Sequence, residues 1–325
     1  MIVILFTGGT ISMRNDPGRG GGGAQPGLTP TEIMAATRGI RAITAVETEE
    51  WGQFPGPHMT VDRMWALRNR IVEHLARPDV TGVVITHGTD TLEESAYLVA
   101  RSTSSEKPIV FTGAMRTVSD LGWDGPANLF EAVQVAASPE TRGFGVMVVI
   151  GGQIFAALDT TKTNTHLLDS FESPGLGPLG VLDEGELIMH RELPPSPPII
   201  QPKSLATPVD IIFIAAGCDE RLLDASRGVA RAVVIAAMGR GNVPPAVVPA
   251  IQRWIADDKP VVLTSRTQGG RVGHTYGYAG GGRRLEEMGV IFGGSRRAQQ
   301  ARIDLMLALG AGMKMTAIRA MFRER

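Results

Sequence analysis

Val83-Val84-Ile85-Thr86-His87-Gly88-Thr89-Asp90-Thr91 is an apolar run that stops at a small, hydroxyl-rich turn. The residues that follow, Leu92-Glu93-Glu94-Ser95-Ala96-Tyr97-Leu98, read as the opening turns of a helix. A strand that feeds a turn and then a helix leaves that turn at the carboxyl edge of a sheet, where open α/β sheets place their ligands. Two threonine hydroxyls flanking an aspartate offer a nucleophile, a proton-relay hydroxyl and a carboxylate able to hold an ammonium group. The alternative is a plain helix cap, with Thr89 or Thr91 accepting a first-turn N–H and Asp90 favouring the positive end of the helix.

A second turn of the same kind opens the chain. Ile2-Val3-Ile4-Leu5-Phe6 reads as a fully buried strand and runs directly into Thr7-Gly8-Gly9-Thr10-Ile11-Ser12. Paired glycines after a strand let the backbone turn sharply and approach a ligand closely. The G-x-G-x-x-G spacing fails here and no Walker lysine follows, so a nucleotide phosphate loop is disfavoured. What remains is a threonine presented on a tight turn.

From Arg14 to Gly27 there are six glycines and almost no apolar residue, which predicts a mobile loop beginning beside Thr10, the pattern of an active-site lid. Thr29-Pro30-Thr31-Glu32 has capping-box spacing with proline at the first helical position, and predicts a short helix that Gly39 ends. A strand is expected over 42–46, a Pro/Gly loop over 53–59, and a helix capped by Thr60. In that helix Met64, Leu67, Ile71 and Leu75 form one buried stripe. Strands at 83–85, 109–111 and 146–150 alternate with helices from about Thr91 and Asp124, which implies a mostly parallel sheet with right-handed crossovers. A hairpin is expected over 181–187.

Pro194-Pro195-Ser196-Pro197-Pro198 is the clearest punctuation in the chain. It predicts a stiff linker over 191–206 between a larger domain, 1–190, and a smaller α/β domain, 207–325. In the latter, strands at 209–215, 233–237 and 261–263 alternate with helices from Asp219, through Ile251 and Ile255, and from Ser295 to Leu309. The expected fold is therefore α/β: two α/β domains, a larger N-terminal one with a mostly parallel sheet and a smaller Rossmann-like C-terminal one.

Composition bounds the function. Of 325 residues, 43% are hydrophobic and 20% charged, as in a core-forming globular chain. A net charge of −1 gives no electrostatic reason to expect nucleic acid or an anionic membrane as partner. The single cysteine, Cys218, has no internal partner for a disulfide. The first residues lack a basic n-region and no stretch reaches about 18 apolar residues, so neither signal peptide nor transmembrane helix is expected and the cytoplasm is the default. The six histidines lack paired ligand spacing, which argues against a metal site. G-x-S-x-G is absent, and His87 beside Asp90 is weak support for a triad because sequence neighbours rarely form one.

TGGTIS at 7–12 and THGTDTLEE at 86–94 together resemble the two signature segments of the bacterial-type L-asparaginase/glutaminase family. The likeness extends to Thr161-Lys162-Thr163-Asn164-Thr165, Thr112-Gly113-Ala114-Met115-Arg116 and Asp124-Gly125-Pro126-Ala127-Asn128, and so to nearly the whole chain. The resemblance implies hydrolysis of L-asparagine to L-aspartate and ammonia, without a cofactor or metal, in a homodimer or homotetramer. It implies Thr10 as nucleophile, with Thr89, Asp90 and Lys162 as proton relay and substrate anchor. A threonine hydroxyl attacks only when something accepts its proton, and a neutral lysine amine serves, given burial or positive neighbours. Substrate contacts are expected from Gly9, Gly56, His58, Gly88, Thr89 and Asp90, with Asn242 lent by a neighbouring subunit. The chain departs from the family's common pattern twice: no tyrosine occurs in 14–30, and Phe54-Pro55-Gly56-Pro57-His58-Met59 lacks the serine usually offered to the substrate carboxylate. The alternatives are a glutaminase or other small-amide hydrolase, or a catalytically weak amino-acid-binding sensor.

Overall fold

The computed structural model of this chain describes residues 1–15, 23–193 and 197–323. They separate into two units, Met1–Ile199 and Ile200–Arg325. The first contains β1 (Ile2–Gly8), β2 (Met13–Asn15), β3 (Ala24–Pro26), β4 (Val46–Phe54), β5 (Gly82–Thr86), β6 (Ile109–Thr112), β7 (Val146–Ile150), β8 (Gln153–Ala156), β9 (Thr161–Lys162), β10 (Phe171–Glu172), β11 (Gly180–Asp183) and β12 (Glu186–Met189). Its helices are α1 (Pro30–Ala36), α2 (Ile40–Ile43), α3 (Val61–Leu75), α4 (Thr89–Ser102) and α5 (Gly125–Ala137).

Eight strands form one sheet in the order β12-β11-β8-β7-β6-β5-β1-β4. From β4 to β7 neighbours are parallel, and β8, β11 and β12 add antiparallel pairs at the far edge. β1 is buried at every residue, as its unbroken apolar run requires. Ile2, Ile4 and Phe6 pack with Leu129, Ala132 and Val133 of α5 on one face. Val3 and Leu5 pack with Leu67 and Ile71 of α3 and Leu92, Ala96 and Val99 of α4 on the other.

β1 and β5 are parallel neighbours, Phe6 opposite Thr86. The chain leaves β1 toward α1, whose Ile33 lies in the α5-side core, and leaves β5 toward α4 on the opposite face. Adjacent strands whose connections depart to opposite faces open a crevice at their carboxyl ends, which is where both threonine turns lie.

The second unit holds a parallel sheet in the order β13 (Val209–Phe213), β14 (Ala232–Ala237), β15 (Val261–Ser265) and β16 (Ile291–Phe292). Around it lie α6 (Arg221–Arg227), α7 (Val248–Ala256), α8 (Gly282–Met288), α9 (Ala298–Gly310) and α10 (Met315–Arg323). Leu223, Ile251, Trp254 and Leu285 cover one face, while α9 packs on β13, β14 and β15.

Several local expectations change. α1 stops at Ala36, where Thr37 Oγ1 donates back to the Ile33 carbonyl at 2.8 Å. Gly39, at φ 89°, starts α2 rather than ending α1, so the strand expected over 42–46 begins only at Val46. That strand runs through Phe54, and the Pro/Gly loop tightens into a 3-10 turn at Gly56–His58. α9 begins at Ala298, three residues beyond Ser295. β8 is a strand beyond those expected; it follows Gly151 and Gly152 at φ 60° and 73°, a two-glycine hairpin turn. Residues 16–22 of the expected lid lie outside the described residues. Its two ends pair antiparallel, Met13–Asn15 with Ala24–Pro26.

Candidate active site

Three parallel strands, β4, β1 and β5, deliver three turns to one edge of the sheet, and glycines let the turns touch backbone to backbone. A Cβ on Gly9 (φ 82°) would lie 2.5 Å from the Gly88 Cα. One on Gly88 would lie 2.6 Å from the Gly56 Cα, and one on Gly56 3.2 Å from the Asp90 Cβ. Any larger residue pushes the turns apart. Hydrogen bonds fix the rest: Thr7 Oγ1 donates to the Thr86 carbonyl at 2.8 Å, Gly9 N–H to Phe54 O at 2.9 Å, and His87 N–H to Thr112 O at 2.8 Å. Thr10 opens a 3-10 turn closed by Ser12, whose hydroxyl donates to the Gly9 carbonyl at 2.9 Å.

Thr89 and Asp90 begin α4, and neither threonine hydroxyl caps it. No side chain caps the helix at Gly88. Thr91 Oγ1 instead donates to the Gly56 carbonyl at 2.9 Å, tying the turn after β5 to the turn after β4. Thr89 is nearly buried and its Oγ1 accepts from Lys162 Nζ at 2.9 Å. The same ammonium reaches Asp90 Oδ1 at 2.8 Å. The Lys162 side chain is only 17% exposed, whereas that of Asp90 is 60% exposed and faces solvent. The fold thus joins Lys162 to Thr89 and Asp90, which precede it by more than seventy positions in sequence, through one cation. Lys162 also has its backbone N–H on the Glu93 carboxylate, at 2.7 Å. Glu93 lies within the THGTDTLEE segment, where no local pattern assigns it a role.

His87 is completely buried, and burial pushes its imidazole down to about 4, so it is neutral at physiological pH. Its ring nitrogens lie 2.9 Å from the Gly88 carbonyl and 2.9 Å from Ser95 Oγ. Those contacts hold the turn from behind and leave Asp90 to Lys162, so the pattern is not a triad.

His58 is exposed on the Gly56–His58 turn, where its own N–H is bonded to Pro55 O at 2.9 Å. Its carbonyl accepts from Arg63, whose guanidinium lies 4.1 Å from the centre of the Phe54 ring. Asn242 belongs to the second unit, where it bridges Met238 after β14, and its Oδ1 is buried without a hydrogen-bond partner. Among the described residues, no group of three or more His, Cys, Asp or Glu side chains is placed to hold a metal ion, and no helix is long and apolar enough to cross a membrane.

Residues 1–195 match the family model for the N-terminal domain of asparaginase, and residues 208–322 that for the glutaminase/asparaginase C-terminal domain. The chain is 38% identical to a probable L-asparaginase of Deinococcus radiodurans over 327 residues, covering 99% of this chain and 97% of the relative. It is 31% identical to a glutaminase-asparaginase of Pseudomonas aeruginosa over 284 residues, 83% of this chain and 76% of the relative. The crystal structure of a probable cytoplasmic L-asparaginase from Campylobacter jejuni superposes with a TM-score of 0.87 at 28% identity, covering 99% of this chain and 98% of that one.

Proposed function

The chain belongs to the asparaginase family, and on that premise we propose that it hydrolyses L-asparagine to L-aspartate and ammonia through a threonine acyl-enzyme. The observation that carries this reading is the Lys162 ammonium bonded at once to Thr89 and Asp90 beside the turn that presents Thr10. The exposed Asp90 carboxylate receives the substrate α-ammonium, which then competes with Lys162 for the same oxygens. In the relay Lys162 acts as the neutral amine, having given one proton to solvent: Thr10 Oγ attacks the side-chain carboxamide carbon, its proton passes to Thr89 Oγ1, and the Thr89 hydroxyl proton passes to Lys162 Nζ. The oxyanion is held by turn amides at the uncapped start of α4. The carbon–nitrogen bond breaks, the nitrogen leaves as ammonia with the relayed proton, and water opens the ester to restore Thr10. Gly9, Gly56, Gly88 and His58 line the substrate, and a neighbouring subunit of a homodimer or homotetramer supplies Asn242. We place the protein in the cytoplasm, in line with the name of the Campylobacter neighbour.

A glutaminase differs only in accommodating one more methylene, a discrimination of about 1–3 kcal/mol in an apolar pocket. Ammonia release from asparagine, glutamine and their D-isomers separates these readings from that of a binding sensor. Asparagine is expected to lead, with Thr10→Ala silent. Saturable binding of asparagine without ammonia release would favour the sensor.

A further inference from the structure

We propose that Glu93 is a positioning residue that holds Lys162 at the working distance from Thr89 and Asp90. Glu93 stands four residues after Thr89 and three after Asp90, so all three side chains share one face of α4. Four residues of helix rise about 6 Å, and an extended lysine spans on the order of 6 Å from Cα to Nζ. Lys162 therefore lies along a single helical turn, with its backbone N–H on Glu93 Oε2 at 2.7 Å and its ammonium on Thr89 and Asp90. Both ends of the lysine are held by the same rigid element.

The tie matters because the other bonds beside β9 run within its own loop, Thr160 Oγ1 to the Ala156 carbonyl at 2.7 Å and Thr163 N–H to the Ser170 carbonyl at 2.7 Å, and none of them reaches α4. β9 is two residues long and pairs with β10, Lys162 opposite Phe171 and Thr161 opposite Glu172. Phe171 anchors that ladder in the core on the α4 side of the sheet. The anchoring fixes the ladder's depth, and the Glu93 bond fixes its position along the helix. A merely helix-stabilising role, with the Glu93 carboxylate acting on the positive end of α4 from its second turn, would need its charge. A positioning role needs its reach and an acceptor oxygen.

Two substitutions separate these roles. Glu93→Gln keeps an acceptor at the same reach and loses the charge. Glu93→Asp keeps the charge and draws the carboxylate back by one bond, about 1.5 Å. Misplacing a catalytic group by about 1 Å costs roughly a hundredfold. Glu93→Asp should therefore lower kcat about ten- to a hundredfold, with KM within about threefold because Asp90 stays on the helix. Glu93→Gln should stay within about threefold of wild type. Should Glu93→Asp not fold, Glu93→Met replaces it with the same expectation, being of similar length and at most a weak acceptor.

The kinetic arm rests on the amidohydrolase reading; a second arm does not. Hydrogen exchange at the Lys162 amide should speed up at least about tenfold in Glu93→Asp and stay near wild type in Glu93→Gln. Absence of turnover in the wild-type protein would sink the function, while the exchange pattern still decides the role of Glu93. A Glu93→Asp variant with wild-type kcat and exchange, or a Glu93→Gln variant as impaired as Glu93→Asp, would overturn the inference.

Discussion

Gly88→Ala is the sharpest perturbation of the proposed site, because its cost arises from contact alone. Gly88 sits at φ −64°, a conformation open to alanine, so the substitution carries no dihedral strain. The added methyl would meet the Gly56 Cα at 2.6 Å, where ordinary contact begins at 3.4 Å. The two turns must part by the difference, about 0.8 Å, and neither partner is a flexible side-chain end that can swing away. Thr89 and Asp90 follow at once, so the displacement is carried into the relay. A shift of nearly 1 Å corresponds to about a hundredfold in kcat/KM, or about 2.7 kcal/mol. Overpacking should also lower stability by about 1–3 kcal/mol. The assays are steady-state ammonia release and urea unfolding, with Gly228→Ala as the control; its methyl meets nothing within 4 Å. A Gly88→Ala protein within threefold of wild-type kcat/KM, and equally stable, would refute the argument that these turns touch through glycine by necessity.

Lys162→Met and Thr89→Val should each depress turnover strongly, while the double variant is hardly worse than either alone, since they act as one relay; losses that multiply would show that the residues act separately. His87 links stability to pH. Its folded value of about 4 lies below the unfolded 6.5, so the unfolded chain takes up the proton first as pH falls. Its contribution is intact above pH 6.5 and is lost at about 1.4 kcal/mol per unit between 6.5 and 4, roughly 3 kcal/mol in all. Urea unfolding at pH 7.5 and 4.5 should show a correspondingly shallower acid loss in His87→Gln, and equal losses in both proteins would contradict the assignment. If a neighbour supplies Asn242, a Thr10→Ala chain and an impaired Asn242→Ala chain, each inactive alone, should regain activity when mixed after dissociation, one site in each mixed dimer being intact. No recovery in confirmed mixed dimers would place each site within one chain.

Elements controlled by short-range chemistry were legible in the chain before any long-range contact was known. The unbroken apolar runs at 2–6 and 83–85 became strands buried on both faces, because no other placement removes every side chain from water. Thr29 and Glu32 form the capping box their spacing predicts, and Thr60 caps α3 over its buried stripe. The two threonine turns fall at carboxyl ends of neighbouring parallel strands, and the family likeness pointed to Thr89, Asp90 and Lys162, whose side chains the fold brings into hydrogen-bond contact.

What local pattern left open was decided by packing over long separations. Gly39 was legible as a helix breaker but not as the start of a new helix, since a left-handed glycine serves either end. The glycines at 9, 56 and 88 each read as a turn residue; only the sheet order, which sets β1 between β4 and β5, makes them one contact. Glu93 was one of several residues opening a helix until β9 was laid against it. Turn and cap chemistry acts across a few residues and is written in them, whereas a contact between residues tens of positions apart exists only once the core has fixed where both backbones run.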